Sequence, residues 1–180
     1  STYSNASVLA FGFKDMANSQ GHVREQFDLM RRYIEEGRLK PSSGDRITVL
    51  LLGRYRSDTP SHLRSWQRRF GDVLDISFKT IHSSKGLEAD YVMLLNVVEG
   101  FRGFPSQIED DPLLQIPMPA PDPYPMAEER RLFYVALTRA KRQVRIYTSL
   151  ATPSRFVTEL VTKGGLKIEA VDGELQEPCP

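Results

Sequence analysis

The stretch EERRLFYVALTRAK, residues 128–141, has the pattern of a helix with one broad apolar face that must pack on something large. The residues of this face recur at helical spacing: Leu132, Phe133, Val135, Ala136, Leu137 and Ala140. Glu128 and Glu129 occupy the first turn, and Lys141 and Arg142 follow near the end, as the helix dipole favours. The rest of the fold can be arranged around this helix.

Arg139 does not belong to the apolar face. It follows Thr138 near the predicted helix end, and its guanidinium carries a planar fork of donors that suits a phosphate or a carboxylate. The spacing alone leaves two interpretations open. Arg139 binds an anionic ligand, or it pairs with an acidic neighbour on a solvated face, as most surface arginines do.

Apolar runs elsewhere in the chain predict a sheet. Residues 47–52 form an unbroken apolar run, which is typical of a strand covered on both faces. Further strands are predicted at residues 8–13, 73–78, 90–98 and 143–148, and further helices at residues 21–36, 60–70 and 153–161. The alternation of strands and helices predicts an α/β fold with a parallel sheet flanked by helices.

The domain is expected to cover residues 1–163, and a weakly patterned polar tail residues 164–180. Residues 112–125 hold half of the twelve prolines and predict an extended surface excursion. The helix at 60–70 carries three arginines beside Trp66, which fits a nucleic-acid surface or a solvated face with Trp66 packed inward. The pair Cys179-Pro180 is how a CPxC zinc ribbon often begins, whereas a disordered tail is the simpler account.

A second candidate site is TIHSSKGLE, residues 80–88. A strand is expected to end near Ile81 and a helix to begin near Ser84, which would place backbone donors and small hydroxyls at the junction. Such groups position phosphate and sugar without reading bases. The alternative is that Ser83 or Ser84 only caps a helix and that His82 is structural.

Composition sets limits on the class of protein. The 180 residues include 24 basic and 23 acidic side chains, so the net charge of +1 provides no global attraction to nucleic acid, and any DNA contact must be local. Cys179 is the single cysteine, which excludes an internal disulfide framework. No apolar run approaches the roughly 18 residues that a membrane helix needs. We therefore expect no membrane partner and a cytoplasmic location.

Two stretches resemble a known family. EERRLFYVALTRAK resembles motif VI of the UvrD/Rep-type superfamily 1 DNA helicases, and TIHSSKGLEADYVMLLNVVEGFRGFPS, residues 80–106, resembles their motif V with the strand and turn that follow. The segment GFPSQIEDDPLL and the short spacing to motif VI resemble the DNA helicase IV branch. The resemblance covers residues 47–149 and implies a RecA-like fold, the second motor domain of a P-loop helicase.

The resemblance also implies roles for individual residues. Arg139 is expected to be the catalytic arginine finger at the γ-phosphate of ATP, and Glu88, preceded by Gly86, is expected at the ribose. The residues expected along the DNA backbone are Thr80, His82, Ser83 and Lys85, of which Lys85 suits solvent equally well. Glu129 and Arg130 are expected to brace the helix. Arg56 is not assigned to the γ-phosphate, because it follows a later strand than the family's motif IV arginine.

The sequence lacks a GxxxxGK[ST] phosphate loop and an acidic pair for magnesium. The chain is therefore predicted to be inactive by itself. ATP and Mg²⁺ would be held mainly by an N-terminal motor domain of the same protein. Together the two domains would form an ATP-dependent 3'-to-5' DNA helicase that acts on single-stranded and partly duplex DNA and needs no oligomer. ATP would close the two domains on each other, so nucleotide and DNA contacts are expected to share one interface.

Two other functions are compatible with the sequence. One is a helicase-like module that clamps DNA or a polymerase without unwinding, and the other is a nuclease-linked helicase subunit. A phosphate loop and an acidic DE-type motif in residues preceding Ser1 would favour the motor, and their absence would favour the clamp.

Overall fold

The computed structural model describes residues 6–108 and 126–173. These residues form one six-stranded sheet and four α-helices. The strands are β1 Ser7–Phe13, β2 Ile47–Gly53, β3 Leu74–Thr80, β4 Ala89–Leu94, β5 Ala140–Ser149 and β6 Ile168–Ala170. The helices are α1 Ser19–Glu35, α2 Leu63–Phe70, α3 Ala127–Leu137 and α4 Arg155–Gly164.

Every neighbouring pair of strands is parallel, and the order across the sheet is β3-β2-β4-β5-β1-β6. All strands therefore end at the same edge of the sheet, which we call the carboxyl edge, and all begin at the opposite amino edge. This parallel α/β architecture confirms the predicted fold class.

Helices cover both faces of the sheet, so there are two apolar cores. Helices α1 and α2 pack on one face through residues that include Phe27, Trp66 and Phe70. Helices α3 and α4 pack on the other face through residues that include Phe133 and Phe156. The Trp66 side chain is only 4% exposed, which confirms the prediction that it packs inward. No helix among the described residues is long and apolar enough to cross a membrane.

The helix that was predicted for residues 128–141 ends earlier, at Leu137. Thr138 closes its last turn, since the Thr138 backbone N–H donates to Tyr134 O and Val135 O. Ala140 then begins β5, where it pairs with Ala89 and is 2% exposed. The prediction that Ala140 belongs to the helix was wrong, because a buried alanine fits helical spacing and a central strand equally well.

Within residues 164–180, which were predicted to be a weakly patterned polar tail, Ile168–Ala170 pairs with β1 as β6. Asp172 then fastens the end of this strand to the loop after β1. It accepts hydrogen bonds from Asn18 Nδ2 (2.7 Å) and from the backbone N–H groups of Lys14 (2.5 Å) and Asp15 (3.1 Å). The bonds from Asn18 and Lys14 lower the pKa of Asp172. The proline-rich excursion at 112–125 and Cys179 lie outside the described residues.

Asp90 of β4 joins its two neighbouring strands through Thr48 of β2 and Arg142 of β5. It is fully buried, accepts hydrogen bonds from Thr48 N (3.0 Å) and Thr48 Oγ1 (3.1 Å), and lies 3.3 Å from Arg142 Nε. Burial by itself raises the pKa of Asp90, but the nearby Ser42 hydroxyl, the hydrogen bonds from Thr48 and the charge of Arg142 outweigh it, so the pKa lies below its ordinary value. Asp90 therefore stabilises the fold as a carboxylate.

We expect Asp90→Asn to lower the free energy of unfolding at neutral pH by about 2 kcal/mol, because it removes a charged acceptor from two hydrogen bonds. The pKa of Asp90 is lowered in the folded state. Its contribution is therefore present above the unfolded pKa of about 3.9 and is lost as the pH falls through the folded value. Urea denaturation of the wild-type protein and of Asp90→Asn at several pH values measures this difference in unfolding free energy.

The matched control is Asp75→Asn, since Asp75 is a strand aspartate whose ion pair with Arg46 spans 3.8 Å at the surface. It should cost less than about 1 kcal/mol. Equal losses for the two variants would contradict the account of Asp90.

Candidate functional site

The structure places Arg139 in the short turn between α3 and β5, at the amino edge of the sheet. Its side chain is partly buried and donates only to neutral oxygens: Nε to Val135 O (3.2 Å), Nη1 to Leu87 O (3.4 Å) and Nη2 to Thr138 Oγ1 (3.4 Å). Among the described residues, no carboxylate forms an ion pair with Arg139. The alternative in which an acidic neighbour neutralises Arg139 therefore finds no support in the described part of the chain.

Glu88 lies beside Arg139. The Ala89 backbone N–H donates to Arg139 O (3.0 Å), and Arg139 Nη1 donates to Leu87 O. Arg139 is therefore hydrogen-bonded to the residue before Glu88 and to the residue after it. The Glu88 side chain is exposed. Gly86 adopts a φ of +82°, which favours glycine and lets the chain turn toward β4. The structure thus brings together the three residues that were predicted to bind nucleotide.

Three of the residues that were predicted to bind DNA, Thr80, His82 and Ser83, lie at the carboxyl edge, at the end of β3 and in the turn after it, and Lys85 follows this turn. The Thr80 and Ser83 hydroxyls are 2.8 Å apart, and the Ser83 backbone N–H lies 3.3 Å from Thr80 Oγ1. His82, Ser83 and Lys85 are exposed. The turn therefore presents an imidazole, a hydroxyl and an ammonium group to solvent, a set that suits a phosphodiester backbone.

The helix that was expected to begin near Ser84 is absent, since residues His82–Ser84 form a single 3-10 turn. Ser84 is buried, and its hydroxyl donates to Ile81 O (2.6 Å) instead of facing a ligand. The chain must reach the amino edge before β4 begins at Ala89, and eight residues are too few for both a helix and that crossing. No row of free helix N–H groups is therefore available to hold a phosphate here.

The two ends of residues 80–88 lie at opposite edges of the sheet, and Lys85 and Gly86, which were predicted to bind DNA and nucleotide, are adjacent in the chain between them. The expectation that nucleotide and DNA contacts share one interface between two motor domains stays a prediction. Thr80 lies level with Gly53 of β2 and Tyr91 lies level with Val49, so Thr80 and Ala89 are separated along the sheet by roughly 20 Å. Residues 81–88 cross this distance on the face that α3 and α4 cover. We call them the crossing segment. It is fixed near its start by Ile81, which is 1% exposed in the core.

Glu129 connects three parts of the carboxyl edge. It is 9% exposed, accepts hydrogen bonds from Arg54 Nε (3.0 Å) and Nη2 (2.6 Å), and accepts another from Ser106 N (2.7 Å). Arg54 follows β2 and Ser106 follows β4, so α3 is tied to both loops. Tyr55 adds a hydrogen bond to the Ser106 hydroxyl.

The prediction that Glu129 and Arg130 brace their helix agrees with these contacts, because Arg130 forms an ion pair with Glu159 of α4. The sequence did not indicate the contacts of Arg54 and Ser106 with Glu129, because these contacts depend on β2 and β4 being neighbours in the sheet.

Glu129→Gln should lower the free energy of unfolding by about 1–3 kcal/mol, because the ion pair between Glu129 and Arg54 lies in a largely buried place and would be lost. It should also speed amide hydrogen exchange at Ser106. The adjacent Glu128→Gln is the control, since Glu128 pairs with Arg131 at the surface. The control should change the unfolding free energy by less than about 0.5 kcal/mol. Unchanged exchange at Ser106 in Glu129→Gln would contradict the assigned role.

Comparison with known proteins identifies the family of this chain. The profile of the UvrD-like helicase C-terminal domain matches residues 60–151, just over half of the chain, and includes both the crossing segment and Arg139. The chain is 41% identical over 109 residues to DNA helicase IV of Escherichia coli (strain K12). That alignment covers 61% of this chain and 16% of the helicase.

Two further relatives carry helicase names. ATP-dependent DNA helicase Rep of Escherichia coli (strain K12) is 36% identical over 95 residues, which cover 47% of this chain and 12% of Rep. The putative ATP-dependent DNA helicase YjcD of Bacillus subtilis (strain 168) is 30% identical over 147 residues, covering 75% of this chain and 18% of that protein. The chain thus spans less than a fifth of these relatives. The match over residues 60–151, just over half of the chain, shows that it belongs to the UvrD-like helicase C-terminal domain family.

Proposed function

We propose that this chain is the C-terminal motor domain of an ATP-dependent DNA helicase that moves 3'-to-5' along single-stranded DNA and unwinds duplex DNA. Membership of the UvrD-like helicase C-terminal domain family and relatives that carry the name DNA helicase support this proposal. The single observation that carries it is the Arg139 guanidinium, which lies beside the exposed Glu88 and has no carboxylate partner among the described residues.

At the amino edge, Arg139 acts as an arginine finger for a nucleotide that a neighbouring motor domain holds. Its three hydrogen bonds are long and go to neutral oxygens, so an incoming phosphate can replace them without separating an ion pair. A guanidinium placed in this way stabilises the negative charge that spreads over the terminal phosphoryl group in the transition state. Glu88 accepts hydrogen bonds from the ribose hydroxyls.

ATP is the substrate in this proposal, and the rest of its site belongs to the other domain. Mg²⁺ neutralises charge on the phosphates when it is bound. The described residues include no group of three or more His, Cys, Asp or Glu side chains that could hold a metal ion. In this proposal the N-terminal motor domain supplies the magnesium ligands.

Thr80, His82 and Ser83 at the carboxyl edge, and Lys85 after them, bind the backbone of single-stranded DNA. Hydroxyl and ammonium groups contact phosphate without reading the base, which suits an enzyme that must move along any sequence. The crossing segment joins this edge to Glu88 and to the Leu87 carbonyl that Arg139 contacts. A change at the nucleotide therefore reaches the DNA contacts through one covalent path of eight residues.

The test is Arg139→Ala in the protein that contains this chain and its phosphate-loop domain. We expect ATP binding to be retained and DNA-stimulated ATP hydrolysis to fall by about a thousandfold, because removal of an arginine finger costs roughly that much or more. Arg139→Lys keeps the charge but not the planar fork and should remain strongly impaired.

Arg32→Ala is the matched control, since Arg32 is an exposed arginine on α1, on the opposite face of the sheet. Single-turnover ATPase assays and nucleotide titrations measure both variants. Near-normal turnover in Arg139→Ala would contradict the assignment, as would an equal loss in Arg32→Ala.

A further inference from the structure

The turn after β4 presents an aromatic and a basic side chain at the carboxyl edge. Gly103 N donates to Gly100 O (3.0 Å), which closes a β-turn with Phe101 and Arg102 at its tip. Gly100 has a φ of +143°, and a Cβ on Gly103 would lie 2.2 Å from Val98 O. Both flanking glycines are therefore required by the backbone, and the tip has a defined shape.

The base of this turn is held firmly on both sides. Glu99 accepts hydrogen bonds from Arg155 N (2.7 Å) and Arg155 Nε (3.1 Å) at the start of α4. Phe104 is fully buried between Phe133 and Phe156, with ring centres 5.8 and 5.7 Å away. The two residues at the tip are thus carried on a turn whose base is bonded to α4 and packed into the core.

Phe101 is 66% exposed, more than any other large apolar side chain among the described residues. Arg102 beside it is also exposed, and its guanidinium carbon lies 5.3 Å from the centre of the Tyr55 ring. No acidic partner of Arg102 is present in the described part of the chain. An exposed aromatic ring next to an unneutralised guanidinium is the combination that binds single-stranded nucleic acid, because the ring stacks on a base while the charge attracts phosphate.

The tip continues the line of the proposed DNA contacts. Strand β2 lies between β3 and β4, so the loops after β3 and β4 are about 10 Å apart at the carboxyl edge. The loop after β2 lies between them and carries the exposed Arg56, which has no acidic partner among the described residues. Arg102 lies over the ring of Tyr55, which precedes Arg56, so the tip adjoins the loop after β2. A strand of DNA that continues from Thr80 and Ser83 across the end of β2 would therefore reach the tip.

We propose that Phe101 and Arg102 form a stacking platform for one base of single-stranded DNA, next to the backbone contacts at Thr80 and Ser83. This inference rests on the proposed function, and it adds a base contact to a surface that otherwise touches only sugar and phosphate. The platform accepts any base, since every base presents a π-face, and it fixes the register of the strand.

The test compares binding of a labelled oligothymidylate with binding of an abasic oligomer of the same length, measured by fluorescence anisotropy with the intact protein. Phe101→Ala should weaken binding of the oligothymidylate about tenfold and leave binding of the abasic oligomer unchanged, because stacking requires a base. Phe101→Trp should restore the affinity.

Arg102→Ala should weaken binding of both oligomers and reduce the slope of log affinity against log salt by about 1, whereas Phe101→Ala should leave that slope unchanged. Arg38→Ala is the control, since Arg38 is an exposed arginine over a tyrosine ring at the far end of α1. It should change neither affinity nor slope.

The outcomes separate this inference from the function on which it rests. If the wild-type protein bound no single-stranded DNA, the proposed function would be wrong. If the wild-type protein bound DNA and Phe101→Ala bound both oligomers as tightly, the proposed function would stand and the platform would be wrong. Equal weakening on both oligomers by Phe101→Ala would also overturn the platform, since it would indicate a base-independent effect.

Discussion

The constraint on which this structure depends is the parallel direction of all six strands. A parallel pair cannot be joined by a hairpin, so each connection must return from the carboxyl edge to the amino edge. Between β3 and β4 only eight residues make this return, and they contain the candidate DNA contacts near one end and Glu88 at the other. The separation of the two candidate sites is thus a consequence of strand direction, and their connection is a consequence of a short crossover.

The same constraint gathers the ends of β3, β2 and β4 along one edge. Glu129 stabilises this arrangement of strand ends. From its position on α3, its carboxylate binds Arg54 after β2 and Ser106 after β4. Helix α3 ends two residues before Arg139. The start of α3 therefore stabilises the carboxyl edge through Glu129, and the end of α3 places Arg139 at the amino edge. This gives a physical reason for the length of α3, which spans the sheet once and then stops.

The sequence predicted much of the fold because its signals were local. The apolar run at 47–52 and the inward packing of Trp66 needed only hydrophobic pattern, and both are confirmed. The end of α3 could not be predicted from spacing, since Ala140 suits a helix face and a buried strand alike. Strand β6 has only three residues and carries too little pattern to be recognised.

The residues of the candidate site also fall into those that the sequence could indicate and those that it could not. Residues in contiguous motifs, such as Glu88 and Arg139, could be selected from the sequence, and their roles in binding stay predictions. Arg54, Ser106 and Phe101 could not be selected, because their significance comes from the order of strands across the sheet. The absence of a helix at Ser84 also depends on tertiary structure, since the crossing segment must reach Ala89 in a few residues. Local chemistry was therefore predictable, and the arrangement of that chemistry on two edges was not.

The central claim is that this domain couples a nucleotide at one edge of its sheet to DNA at the other. The most direct measurement is single-turnover ATP hydrolysis together with strand separation, in the protein that contains both motor domains, with and without single-stranded DNA. The account predicts that DNA accelerates hydrolysis and that hydrolysis drives strand separation. Tight DNA binding with hydrolysis that is unaffected by DNA, and with no strand separation, would contradict it and indicate a clamp.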